Sequence, residues 1–178
     1  MKDLMFSVPL FQYEIDNWNL KKRKLKDIHN QTAVSKYNCD YTEVDTDYHE
    51  QAKNGFIYNQ QIEEILNDEI NLFKSESELS SYKIHHSWFE LSSKNDFHVV
   101  HSHGPIGYSS VCFIDFDNSV HQGTIFVSPF NNFINGDDLK FFSNVSEGTI
   151  IFFPSAIKHY TIPHNSSKER LILSFNMR

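Results

Sequence analysis

The sequence is short of cysteine and of positive charge, and it has no long apolar run. Its two cysteines, Cys39 and Cys112, are too few for a disulfide framework. That argues against a stapled secreted scaffold and for a reducing, cytoplasmic setting. No stretch approaches the roughly 18 consecutive apolar residues of a membrane-spanning helix, so no membrane association is expected. The opening MKDLMFSVPLF carries an acid and a proline where a secretory signal needs an apolar run of roughly 7–15 residues. Lysine and arginine number 16 against 23 acids, a formal charge of −7 over 178 residues, and a nucleic-acid partner is not expected of that balance. The one basic cluster, Lys21-Lys22-Arg23-Lys24 with Lys26, reads as a solvated helix face. There is no internal repeat and no low-complexity linker.

What is present is aromatic and rich in histidine. Aromatics make up 15% of the chain, 16 of them Phe, which is the composition of a chain that folds compactly. The length fits one domain spanning 1–178. Residues 1–83 read as a mixed, helical support region. Residues 10–15 form a short strand, Asp16 or Asn17 caps a helix over 18–31, and a second helix runs from Asn59 to about Phe73. Its stripe of Ile62, Ile65, Leu66, Ile70 and Phe73 has helical spacing, broken only by Glu69, and reads as core packing. Residues 34–56 between them read as loop or extended edge. From Tyr82 onward the period drops towards two. Strands are expected at 84–92, 97–103, 108–116, 123–129, 148–154, 159–164 and 170–176, separated by turn residues. That count and spacing mean a mainly β fold with flanking helices, a sandwich, barrel or jelly roll. An exposed strand in the first half offers an edge for pairing across a homodimer.

The histidines carry the chemistry. His101 and His103 are two apart, and in a strand i and i+2 share a face, roughly 6–7 Å apart. Two such imidazoles can converge on one metal ion, although an isolated H-x-H pair is also what a polar strand face near a turn looks like. His159 opens the strand after 148–154 and is the natural third ligand. Imidazoles suit Fe, Zn, Cu or Ni better than Mg or Ca. His98 is an odd number of positions from both His101 and His103, so it should face the other way and not be a ligand. His85, His86, His121 and His164 read as structural or exposed. Arg170, Ile172, Ser174 and Asn176 share a face of the last strand. An arginine at the mouth of an apolar barrel calls for an anion, and its planar fork fits a carboxylate. An acid of the protein, such as Asp115, is the competing partner.

These residues occur in a recognisable order: Ser87-Trp88, then His101-Ser102-His103-Gly104-Pro105, Tyr108-Ser109-Ser110-Val111, the run from Gly148 to Ser155, His159 with Pro163, and Arg170 through Asn176. In this the chain resembles the 2-oxoglutarate- and Fe(II)-dependent oxygenases found in marine bacteria and their phages. The opening from Phe6 to Phe11 is also similar to theirs. The resemblance implies a double-stranded β-helix, the cupin-like jelly roll, with Fe(II) in its mouth. His101, His103 and His159 would be the metal ligands, Arg170 would hold the distal carboxylate of the cosubstrate 2-oxoglutarate, and Ser174 and Tyr108 would hydrogen-bond it. Phe113, Ile125 and Phe152 would wall the site. The activity implied is hydroxylation of a small-molecule or peptidyl substrate by O2, with release of succinate and CO2. Substrate loops are expected at 42–55, 118–122 and 131–140.

The chain departs from the wider superfamily in two places. The middle ligand is His103 rather than an acid, so three neutral ligands leave the metal one negative charge short. Two positions after the arginine, where many relatives have serine, stands Ile172. Two other readings therefore stay open: a cupin-like three-histidine metalloenzyme that does not use 2-oxoglutarate, and a non-catalytic jelly-roll binding module.

Overall fold

The structure, a computed structural model, describes residues 7–32, 34–39, 42–77 and 79–178. Phe6 of the family-like opening lies outside them. The elements are β1 (Phe11–Glu14), α1 (Trp18–His29), β2 (Ser35–Cys39), β3 (Thr42–Thr46), α2 (Tyr48–Asn54), α3 (Asn59–Ile65), α4 (Asn67–Glu76), β4 (Ile84–Ser92), β5 (Phe97–His101), β6 (Tyr108–Asp115), β7 (Ile125–Asn131), β8 (Asp138–Phe142), β9 (Thr149–Pro154), β10 (His159–Thr161) and β11 (Arg170–Met177). The strands form one antiparallel sheet in the order β1-β9-β6-β11-β4-β3-β5-β10-β7-β8, with β2 paired to β3.

The sheet curls so that β6, β9 and β11 face β7 across an interior. Val111, Phe113, Ile151, Phe153 and Ile172 meet Phe126 there. The opposite face of the same strands, with Cys112, Phe152, Leu173 and Phe175, packs on Leu25, Ile62, Leu66, Ile70 and Phe73 of the helices. Both faces are therefore covered, and β11 is buried at all eight positions. This is why β9 reads as a near-continuous apolar run rather than an alternating one. Phe73 stacks on Phe152 with ring centroids 4.4 Å apart. Burying a side chain of that size stabilises by roughly 1.5–3 kcal/mol. No helix among the described residues is long and apolar enough to cross a membrane.

Several expected boundaries move. The single helix expected over 59–73 is two, because Leu66 turns out of the helical region (φ −102°, ψ 22°). The stripe keeps its role across the break. The described residues of 34–56, expected as loop or extended edge, are extended in part: they form the paired strands β2 and β3 and the helix α2, and β3 lies inside the sheet between β4 and β5. Of Glu43, Val44 and Asp45 only Val44 is buried, so no apolar alternation marks this strand. Residues 138–142 are likewise a strand, β8, all of whose positions are exposed, which leaves no half-buried pattern to read. Asn17 does precede α1, but with φ 53° and no side-chain capping bond.

The basic cluster of α1 is not simply solvated. Lys22 and Lys26 both reach Asp115, at 2.8 and 2.7 Å. Lys21 places its Nζ 2.9 Å from both carboxylate oxygens of Glu69, the residue that interrupts the apolar stripe. The side chains of Lys21 and Glu69 are only 11% and 4% exposed. Removing one partner of a buried pair strands the other charge, whereas replacing both by apolar groups does not. Lys21→Met is therefore expected to cost about 3–5 kcal/mol of unfolding free energy in urea, and the double variant K21M/E69L to regain most of it. An equal loss in single and double variants would contradict this account.

Candidate functional site

His101 closes β5 and His159 opens β10, and the two are paired across the ladder. His103 is not in the strand. β5 ends at His101, and His103 comes in from the loop before Gly104, its backbone N–H held by the Ser155 carbonyl at 2.9 Å. The three rings nevertheless meet. His103 Nε2 stands 3.2 Å from His101 Nε2 and 3.2 Å from His159 Nε2.

The other ring nitrogen of each histidine decides what these contacts are. His101 Nδ1 lies 2.8 Å from the Val99 carbonyl and His159 Nδ1 lies 2.9 Å from the Ile157 carbonyl. His103 Nδ1 lies 3.0 Å from Asn176 Oδ1, which also accepts from Ser109 Oγ at 2.7 Å. Carbonyl oxygens only accept, so the hydrogen-bond network assigns the proton of each neutral imidazole to Nδ1. Each Nε2 then presents a lone pair, and none has a proton to share with its neighbours. Three lone pairs turned on one point repel unless a cation lies between them. Nitrogens bound to one metal at roughly 2.0–2.1 Å stand about 3 Å apart. The donor set therefore fits a metal of the iron, zinc or nickel kind, and each ring has the carbonyl partner that orients a ligating histidine.

Burial reinforces this protonation state. It pushes His101 below the usual histidine range, with the neighbouring His98 adding to the effect. His159 is pushed well below that range, mainly by burial and then by the other two rings. His103 falls to about 4, for the same reasons and against the opposing pull of Asn176.

His98 does not face away. Across β10, Thr161 pairs with His98 and His159 with His101, so β5 spends three residues where β10 spends two. This bulge restores His98 to the face of His101. The two rings stack at 4.0 Å, 16° from parallel. His98 Nδ1 pairs with Glu90 Oε2 at 3.0 Å, and Glu90 Oε1 lies 3.8 Å from Arg170 Nη2. Burial alone would raise the Glu90 carboxyl, but His98 and Arg170 outweigh it and hold it below its ordinary value.

Arg170 is 2% exposed. It donates to Ser92 Oγ at 3.0 Å and to the Gln122 carbonyl at 3.3 Å, while its Nε is buried without a partner. That unused donor, in a guanidinium with five N–H groups, fits an incoming carboxylate. Asp115, the acid expected to compete for Arg170, lies instead with Lys22 and Lys26, and the acid beside Arg170 is Glu90. Glu90, like Arg178 in the same cavity, belongs to no motif in the sequence. Its signal was a lone acid between Phe89 and Leu91 in a strand.

Ser174 is buried, and strand alternation puts it on the face of β11 that carries Arg170 and Asn176. Tyr108 is on the other side. Its ring packs on Phe73 at 5.1 Å in the helix layer, because the interior-facing positions of β6 are 109, 111 and 113. Phe152 shares that helix side. The phenylalanine beside the histidines is Phe153, 4.8 Å from His159, while Phe113 faces the interior and Ile125 is buried. His121 and His164 are structural, capped by the carbonyls of Lys168 and Ser92.

A cavity of about 390 Å³ opens on the cluster, lined by Tyr48, His86, Trp88, Glu90, His98 and Arg178 besides His101 and His103. Of the expected substrate loops, only 42–55 contributes to it. His86, expected from sequence to be structural or exposed, is part of its wall.

A histidine held neutral by burial binds fewer protons folded than unfolded between its lowered value and 6.5. Its contribution to stability is therefore complete above that window and is lost as pH falls through it. The metal-free protein is expected to lose stability as pH drops from 6.5 towards 4. His103→Gln should flatten that slope by up to about 1.4 kcal/mol per pH unit. An unchanged slope in urea titrations would contradict the assignment.

Comparison with known proteins gives the arrangement a family. The family model described as "Putative 2OG-Fe(II) oxygenase" matches residues 86–176, a segment that contains His101, His103, His159 and Arg170. No curated protein matches the chain in sequence. Among solved structures, a prolyl-4-hydroxylase from Pseudomonas putida superposes with TM-score 0.65 at 13% identity, over 97% of this chain and 93% of its own. A 2OG-Fe(II) oxygenase family oxidoreductase from Burkholderia pseudomallei gives 0.63 at 12% identity, over 94% and 84%. HygX from Streptomyces hygroscopicus, solved with nickel, 2-oxoglutarate and hygromycin B bound, gives 0.61 at 9% identity, over 96% and 82%. At these identities the solved structures speak for the jelly-roll fold, and the family match covers just over half of the sequence. The chain belongs to the 2OG-Fe(II) oxygenase family and is an enzyme that uses Fe(II) and 2-oxoglutarate.

Proposed function

We propose that the protein is a dioxygenase that hydroxylates a small-molecule or peptidyl substrate, converting 2-oxoglutarate and O2 to succinate and CO2 as it does so. In this reading His101, His103 and His159 hold Fe(II), and Arg170 anchors the distal carboxylate of 2-oxoglutarate, with Ser174 lining the same face. The observation that carries it is the convergence of three Nε2 lone pairs on one point, two of the rings lining the cavity, with a buried arginine, one of its donors unused, on the strand that brings Asn176 to the same cavity. The balance is one substrate C–H bond replaced by C–OH, one O2 consumed, and one keto acid decarboxylated. When bound, Fe(II) and 2-oxoglutarate supply the activation of O2.

The chain's own residues do the rest. The Val99, Ile157 and Asn176 oxygens keep the three rings in one tautomer and orientation, which keeps the metal position prepared. Trp88 lies over His103 at 5.3 Å and Phe153 flanks His159, so one side of the centre is dry. Glu90 brings into the cavity the negative charge that a three-histidine ligand set lacks, and it does so one imidazole removed, through His98. Arg170 has its unpartnered Nε–H to offer the keto acid, while its Nη2 stands 3.8 Å from Glu90 Oε1. We also place the protein in a reducing, cytoplasmic setting on its cysteine content, with neither nucleic acid nor membrane as partner.

Adding 2-oxoglutarate to the Fe(II) protein without oxygen is expected to produce a weak visible charge-transfer band, and admitting O2 to release succinate. Arg170→Gln should raise the 2-oxoglutarate concentration needed for the band by at least about tenfold, since a charge-assisted hydrogen bond is lost. His159→Ala should abolish the band. No band with the unmodified protein, or a band indifferent to Arg170, would sink the proposal.

A further inference from the structure

The outer part of the histidine cavity is built around a second arginine. Arg178 is held from both sides of its backbone: its N–H donates to the Lys83 carbonyl at 3.1 Å, and its carbonyl accepts from the Lys83 N–H at 3.0 Å. Its side chain then runs along the loop that carries His103. A Cβ on Gly107 would stand 2.9 Å from Arg178 Cγ and 2.3 Å from the Met177 carbonyl oxygen. A Cβ on Gly104 would stand 3.6 Å from Arg178 Nη2. Both glycines have positive φ, 107° and 95° for Gly104 and Gly107. The loop after the metal-side histidine thus has no side chain where the arginine stem lies, and the guanidinium is delivered beside it.

This guanidinium has no ion-pair or hydrogen-bond partner among the described residues. The one acid lining the cavity, Glu90, is already engaged by His98 and Arg170. The same cavity is lined by a wall of rings. Tyr48 meets Trp88 edge-on at 5.3 Å, and Phe56 backs His86 in a stack at 4.4 Å. Burial lowers His86 below its usual range, with His85 and Arg178 adding to the effect, so His86 faces the cavity as a neutral ring. In a chain of net charge −7, the cavity thus presents one unpaired guanidinium beside ring surface.

We infer that Arg178 is the specificity-determining residue for the primary substrate, which carries an oxyanion, a carboxylate or a phosphate, on a flat apolar body that lies against Trp88, Tyr48 and His86. A planar guanidinium grips either oxyanion through two parallel bonds, and the ring wall accepts the apolar part. The inference rests on the oxygenase reading of the same cavity, because 2-oxoglutarate must take Arg170 and the metal for Arg178 to be left to the substrate.

The test uses protein loaded with Mn(II) and 2-oxoglutarate under nitrogen, titrated with benzoate, phenyl phosphate and benzamide and followed by ligand-observed NMR. At least one of the two anions is expected to bind about tenfold or more tightly than benzamide, and which one does so tells carboxylate from phosphate. R178Q, its folding checked by its unfolding midpoint, should bring that anion to within about twofold of benzamide, and R178K should fall between. Equal binding of all three probes, or an anion preference that survives R178Q, overturns the inference. Mn(II) and 2-oxoglutarate binding is measured first by calorimetry. If that binding is absent the oxygenase reading fails. If it is present and the anion preference is absent, only the role given to Arg178 fails.

Discussion

Three lone pairs aimed at one point are unfavourable in an empty protein, and the structure around His101, His103 and His159 is organised to keep them there. Two of the rings are fixed in the same way, each donating Nδ1–H to the carbonyl two residues before it. That local bond needs no distant partner, so strands β5 and β10 can carry their histidines wherever the ladder brings them. The third ring, on a loop, has no such strand to orient it. It depends on a chain of polar groups instead, Ser155 to Ser109 to Asn176 to His103, at 2.9, 2.7 and 3.0 Å. Buried polar chains of this kind rigidify when every member is satisfied.

The same strands serve two interiors. On β11 the odd positions Leu171, Leu173 and Phe175 join the helix-side core, while the even positions carry Arg170, Ile172, Ser174 and Asn176 towards the roll's interior. Helices α1, α3 and α4 therefore support the site from behind, while α2 brings Tyr48 to its cavity. The cost is a buried charge pair, Glu90 and Arg170, with His98 half-buried beside Glu90, acceptable only because these groups face one another. Glu90 also answers the electrostatic puzzle set by His103. A carboxylate absent from the ligand set is present one ring away, on the neighbouring strand face.

The parts of this that were legible in the sequence share a property: they depend on local pattern. Apart from β8, the β strands from 84 onward were readable to within a few residues, because their apolar content and turn residues are local. So were the three histidines and Arg170, whose order along the chain is itself a signal. What could not be read depended on register. A one-residue bulge in β5 reverses the face of His98, and nothing in FHVVHSH announces it. Tyr108 and Phe152 were placed at the site, but each is one position out of phase with the interior residues Ser109 and Phe153. Strands β3 and β8 lack an apolar alternation, the first because its neighbours are acidic and the second because it is exposed. Glu90 and Arg178 acquire meaning only from what folds against them, a histidine from the next strand and two glycines from a loop.

The central claim is that His101, His103 and His159 all present Nε2 to one ion. Imidazole ¹⁵N NMR of the metal-free protein, followed as one equivalent of Zn(II) is added, tests it most directly. The account predicts three Nδ1–H tautomers at the start and three Nε2 resonances that shift together and saturate at one equivalent. Fewer than three shifting nitrogens, or coordination through any Nδ1, would contradict it.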